Sequence, residues 1–123
     1  MRKDFHPDIK ERIDYILRES EVAVNGVIKL ELLGGIRTEN EYNRLKSRLD
    51  SLFYIEATES LWDYSSKQAF DLRRKGNTIP FTDIFIVASA VCEDAVLVHV
   101  DSHFDLIAKH IGLKVESFVP LIK

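Results

Sequence analysis

The chain has 123 residues, 46% of them hydrophobic and 30% charged, with a formal net charge of −3. That is the composition of one ordinary globular domain, long enough for a core and too short for two, and nothing in it suggests disorder. The negative balance excludes a general attraction to nucleic acid or an anionic membrane, so binding a polyanion would need a local basic face or a metal ion.

No apolar run approaches the roughly 20 residues that cross a bilayer, and the charged start Met1-Arg2-Lys3-Asp4 leads into no signal-type segment, so the expected location is the cytoplasm. Cys92 is the single cysteine, which excludes an internal disulfide and a cysteine zinc cluster. Its place in an apolar run makes it a packing residue.

Pro7 suits the first turn of a helix, and Ile9, Ile13, Ile16 and Leu17 recur at helical spacing to about Glu19. Glu21 to Asn25 alternates briefly, as a short strand does. Val27 to Ile36 then carries Ile28, Leu30, Leu32 and Leu33 with Glu31 among them, until Gly34-Gly35 ends the helix. An acid so placed needs a partner. Thr38 and Glu41 have capping-box spacing ahead of a helix with Tyr42, Leu45 and Leu49 on one face. Phe53 to Ala57 is the next strand. Thr58 opens a long helix through Leu61, Trp62, Ser65, Ala69 and Leu72, closed by Gly76 with Pro80 beyond. Arg73-Arg74-Lys75 fills its last turn, where the helix dipole favours positive charge.

The organising stretch follows. The apolar run 84 to 92, broken only by Ser89, predicts a helix buried on most sides, with Asp83 in its first turn. Residues 95 to 100 alternate too little for a solvated sheet face and read as an inner parallel strand, with Asp101 at its carboxyl end, the edge where ligands gather in open α/β sheets. Ser102 and Asp105 look like another box-like helix start, Gly112 closes that helix, and Val115 to Phe118 is a last strand. Strands separated by helices argue for a three-layer α/β sandwich with a mainly parallel central sheet.

Three carboxylates thus stand in awkward settings: Glu31 within an apolar helix, Asp83 heading a buried one, Asp101 at a strand tip. Singly, each has an ordinary structural role as a cap, a turn residue or an exposed side chain. Together, their repulsion would raise their pKa values unless a divalent cation neutralised them, and oxygen ligation suits Mg²⁺ or Mn²⁺. Four histidines, His6, His99, His103 and His110, show no metal-ligand spacing.

The segments 24 to 35 (Val-Asn-Gly-Val-Ile-Lys-Leu-Glu-Leu-Leu-Gly-Gly), 79 to 88 (Ile-Pro-Phe-Thr-Asp-Ile-Phe-Ile-Val-Ala) and 98 to 108 (Val-His-Val-Asp-Ser-His-Phe-Asp-Leu-Ile-Ala) resemble, in order, the PIN-domain family, in particular VapC-like toxins of toxin-antitoxin pairs. The resemblance implies a Mg²⁺- or Mn²⁺-dependent endoribonuclease with Glu31, Asp83 and Asp101 as catalytic metal ligands. It also implies an RNA substrate, a VapB-like antitoxin as partner, and room for a homodimer. Where some members carry a further acid two residues after the last ligand, this chain has His103, a water or phosphate contact. Arg73, Arg74 and Lys75 are candidates for RNA phosphates. Members usually begin with a central strand ending in an Asp-Thr-Ser-like motif that supplies the first acid. This chain starts after that point, and Asp4 has no apolar strand before it. The expectation is therefore one PIN-like domain over 1–123, truncated at its N-terminus, with weakened metal binding. Without the first central strand, strands 21 to 25 and 95 to 100 would pair directly or take a second chain between them. The alternative is a catalytically inactive PIN-like protein that binds an antitoxin or self-associates. A receiver-type domain would need paired acids after an early strand and a late lysine, and lacks both.

Overall fold

The computed structural model describes residues 7–99 and 101–122; Asp4, His6 and Val100 lie outside the described residues. The chain runs α1 (Pro7–Glu19), β1 (Ala23–Asn25), α2 (Gly26–Gly34), α3 (Glu39–Asp50), β2 (Phe53–Ile55), α4 (Glu59–Arg74), α5 (Phe81–Cys92), β3 (Val96–His99), α6 (Ser102–Ala108), β4 (Lys114–Ser117) and α7 (Val119–Ile122). Apart from the terminal α7, this is the order the sequence predicts. The start signals act as their chemistry requires. The Thr38 hydroxyl accepts from the Glu41 amide at 3.2 Å and donates to the Glu41 carboxylate at 3.0 Å. Thr58 caps α4 by accepting from the Leu61 amide at 3.2 Å. Gly76 takes φ 87°, the left-handed region in which glycine has no Cβ to clash.

All strand pairing is parallel, because each connection passes through helices. β1 pairs with β2 from Ala23↔Phe53 to Asn25↔Ile55, and β3 with β4 from Val96↔Lys114 to His99↔Ser117. These are two separate pairs, and direct pairing of β1 with β3 is not found among the described residues. Between them lies a cleft of about 510 Å³, walled by Ala23 and Val24 of β1 and Val96 to Val98 of β3, with Ile86, Ser89 and Ala90 of α5 on its floor. Arg12 and Ile16 of α1 also line it, and Arg12 is tied to Glu116 by bonds of 2.7 and 3.0 Å. The open side corrects the reading of 95 to 100 as an inner strand. With one strand neighbour among the described residues, Val96 and Val98 are 52% and 36% exposed.

α5 spans the two halves. Its Ile84, Ile86, Val87 and Ala90 pack with Leu72, Phe104, Ile107 and Leu113, while Phe85 and Ala88 pack with Ile55 and Leu61. A helix needed on both sides must be apolar nearly all round, which is what the run 84 to 92 encodes. Its polar break is used: buried Ser89 donates to the Phe85 carbonyl at 2.8 Å and accepts from buried Asn25 at 3.0 Å. Asn25 in turn caps α2, its Oδ1 accepting from the Ile28 amide at 2.8 Å. Cys92, read as packing, is exposed at the end of α5, two residues past Ala90, the last buried one. Ile9 and Leu49 are buried, whereas Ile13 and Leu45 are half-buried. None of the described helices is long and apolar enough to cross a membrane.

Candidate metal centre

Parallel strands followed by helices bring strand ends and helix starts to one rim, and two of the three predicted acids meet there. Asp83, in the first turn of α5, and Asp101, at the end of β3, converge with His103, each offering one ligand atom within 4.8 Å of the others. Among the described residues no other group of three such side chains comes together. Burial first, and then the negative charge of Asp101, push the Asp83 carboxyl above its ordinary value, with His103 acting in the opposite direction.

Asp101 also performs the ordinary role. It is the N-cap of α6, its Oδ1 accepting from the His103 amide at 2.9 Å, and the His103 ring Nδ1 stands 3.6 Å from the same oxygen. The helix therefore starts from Asp101 and not from Ser102. Asp105, expected to complete a box with Ser102, turns to His99 and Ser117 instead, at 3.1 and 2.8 Å.

Glu31 lies outside the group. Its side chain is exposed on α2 and makes no hydrogen bond or ion pair among the described residues; the partner expected for an acid among apolar neighbours is not needed, because α2 buries none of its residues. Its position is still informative. Val27, one turn earlier on the same face, packs against both core clusters that α5 joins. Arg73, Arg74 and Lys75 are exposed at the end of α4. Arg73 lies over the ring of Phe81, 5.4 Å from its centre, two residues before Asp83; Arg74 lies over Phe70 at 5.5 Å. Sequence reasoning placed His103 near the site but missed the link from His99 through Asp105 to Ser117. The signal available was a polar residue, His99, ending an otherwise apolar strand.

Two carboxylates and an imidazole, one carboxyl already disfavoured as an anion, form a donor set that a divalent cation would satisfy. The oxygens suit Mg²⁺ or Mn²⁺, and the ring nitrogen is compatible with Mn²⁺ and softer ions.

No protein-family model matches the chain. Among curated proteins it is similar to Ribonuclease VapC51 of Mycobacterium tuberculosis, 28% identical in an alignment 121 residues long that covers 93% of this chain and 84% of that protein. Among solved structures it superposes on VapBC2 from Rickettsia felis, determined bound to a DNA fragment from their promoter. The TM-score is 0.75 at 20% identity, covering 94% of this chain and 88% of the other. VapBC-1 from nontypeable Haemophilus influenzae gives 0.73 at 19% identity, with 94% and 89% covered. Similarity over nearly the whole chain bears out the resemblance carried by its motifs: the fold is that of the VapC-like PIN-domain proteins.

Proposed function

We propose that the chain is a metal-dependent endoribonuclease of the VapC type, which hydrolyses RNA phosphodiesters with Mg²⁺ or Mn²⁺. The observation that carries the reading is the meeting of Asp83, Asp101 and His103 at the rim, in a chain similar to a protein named as a ribonuclease. A bound divalent cation would polarise a phosphoryl oxygen and lower the pKa of a water for in-line attack. Asp83 and Asp101 supply the paired anions that hold it. Glu31 completes the proposed set from α2, one turn after Val27, as a ligand to the ion or to its waters. His103 offers a ring nitrogen to the ion or a proton to a phosphate oxygen. Arg73, Arg74 and Lys75 provide the local basic face that a chain of net charge −3 needs in order to hold RNA. No nucleophilic side chain is required.

The proposed partner is a VapB-like antitoxin in the cytoplasm, and a homodimer is compatible with the same fold. Because Glu31 stands outside the carboxylate group, a non-catalytic PIN-like protein that binds an antitoxin or itself is the competing reading. Thermal unfolding and cleavage of a labelled single-stranded RNA, each with and without Mn²⁺, decide between them. The expected result is a Mn²⁺-dependent rise in Tm and weak Mn²⁺-dependent cleavage, both lost in Asp83→Asn and Asp101→Asn. Cleavage is expected to strengthen when the chain is extended by an apolar strand ending in Asp, the element that the resemblance calls for. An extended chain that shows neither response to Mn²⁺ would leave the binding-only reading.

A further inference from the structure

His99 ends β3 two residues before Asp101, and its side chain is only 4% exposed. A buried imidazole must satisfy both ring nitrogens, and here the partners fix which one carries the proton. The Asp101 amide donates to Nδ1 at 3.1 Å, so Nδ1 is an acceptor. The ring proton is then on Nε2, which donates to Asp105 Oδ1 at 3.1 Å. The other Asp105 oxygen accepts from the Ser117 hydroxyl at 2.8 Å, and Ser117 Oγ accepts from the Val119 amide at 3.2 Å. Ser117 is the register partner of His99 across the sheet, and the Phe118 amide donates to the His99 carbonyl at 2.8 Å. Phe104 meets the ring edge-on, with centres 5.3 Å apart. One side chain thus ties together the end of β3, the first turn of α6 and the end of β4.

We propose that His99 is a positioning residue for the metal centre: by holding the Asp101 main-chain amide from below, it fixes the direction in which the Asp101 carboxylate meets Asp83 and His103. The inference rests on the metal-centre reading given under Proposed function. Two bonds pin the Asp101 backbone while its carboxylate is presented to the rim. Its amide is held by His99, and its carbonyl accepts from the Phe104 amide at 3.1 Å. Without His99, the Asp101 amide loses its acceptor and a part-buried Asp105 oxygen loses its donor. Groups behind metal ligands act in this way, and their removal typically weakens metal binding about 10- to 100-fold.

The test measures Mn²⁺ binding to the whole chain without RNA, by calorimetry and by Mn²⁺-dependent thermal shift, alongside Tm in metal-free buffer. His99→Phe keeps a ring and removes both hydrogen bonds; the expected result is Mn²⁺ binding weakened about tenfold or more. His99→Asn keeps an acceptor at the position of Nδ1 and is expected to stay within about threefold of the parent chain, although it loses Asp105. Leu49→Ala, a buried apolar truncation on α3, calibrates plain destabilisation and should lower Tm without moving Mn²⁺ affinity. Unchanged Mn²⁺ affinity in His99→Phe, or an equal loss in His99→Asn and His99→Phe, overturns the inference and leaves the metal centre standing. Failure of the parent chain to bind Mn²⁺ overturns both. Should His99→Phe fail to fold, nitrogen NMR of the parent chain decides: an unprotonated Nδ1 coupled to the Asp101 amide supports the proposal, and a protonated Nδ1 ends it.

Discussion

Asp83 is asked to be an anion where folding makes an anion expensive. Its carboxyl sits in the first turn of a buried helix, facing Asp101, and both burial and that neighbour raise its pKa in the folded chain above the ordinary 3.8. The sign follows from linkage. The folded state holds the Asp83 proton more tightly than the unfolded state, so this group's contribution is most favourable below the unfolded value and is lost as pH rises through the folded one. At neutral pH, without metal, the carboxylate is a liability that the helix dipole and His103 only partly offset. Asp83→Asn should therefore raise Tm in metal-free buffer at pH 7 and gain little at pH 3, while abolishing any stabilisation by Mn²⁺. Thermal unfolding at the two pH values, with and without Mn²⁺, checks this. Equal shifts at both would mean that the acid is fully solvated and that the cluster is no metal centre. The same linkage predicts that Mn²⁺ binding weakens as pH falls through the Asp83 pKa, since the proton and the ion compete for one oxygen.

At the scale of elements, the junction between β1 and α2 depends on one amide. Asn25 Oδ1 caps the helix, and its Nδ2 reaches Ser89 on α5, so a single buried side chain orients α2 against the helix that carries Asp83. Asn25→Ala removes the cap and leaves Ser89 Oγ without a donor, a loss of about 1–3 kcal/mol by denaturant unfolding; Asn25→Ser, which keeps a capping oxygen, should recover part of it. A cost near zero would show that α2 is placed by packing alone. The cap was not foreseen, because Asn25 reads as the end of a strand and Ser89 as a flaw in an apolar run; their meeting is set by topology, 64 residues apart. What periodicity does report is burial around one element, and so α5 was legible through Ile84 to Ala90. It says nothing about a neighbour. The run 95 to 100 is as apolar as an inner strand should be, yet Val96 and Val98 face an open cleft. Asp83 and Asp101 were legible as acids in unusual places, and their motifs carried the resemblance. Their approach to one another, and the separation of Glu31, depend on how parallel crossovers are stacked. The four-residue α7 is too short to leave a periodic signal.

Among the described residues, two parallel strand pairs are bridged by α5, with a cleft where a strand could lie between β1 and β3. β1 is bonded along one edge to β2 and β3 along one edge to β4, so the facing edges carry main-chain donors and acceptors that no strand among the described residues pairs with. Ile86 and Ala90 on the floor beside Ser89, with Val24 and Val96 to Val98 on the walls, make the middle of the space largely apolar while its two sides are backbone. An extended apolar segment satisfies both requirements at once, whereas a helix would leave the edges unpaired and a polar loop would leave the floor wet. The prediction is that an apolar strand supplied to the cleft, fused ahead of Met1 or added as a peptide, raises Tm and protects amides of both β1 and β3 from hydrogen exchange. Protection confined to one pair would mean that the segment merely extends an edge. Protection of both, together with a more cooperative unfolding transition, would mean that the added strand joins the halves into one sheet. Replacing Val96 on the wall, 52% exposed, by Glu should abolish the gain without unfolding the parent chain, because a charge there meets water only while the cleft is empty.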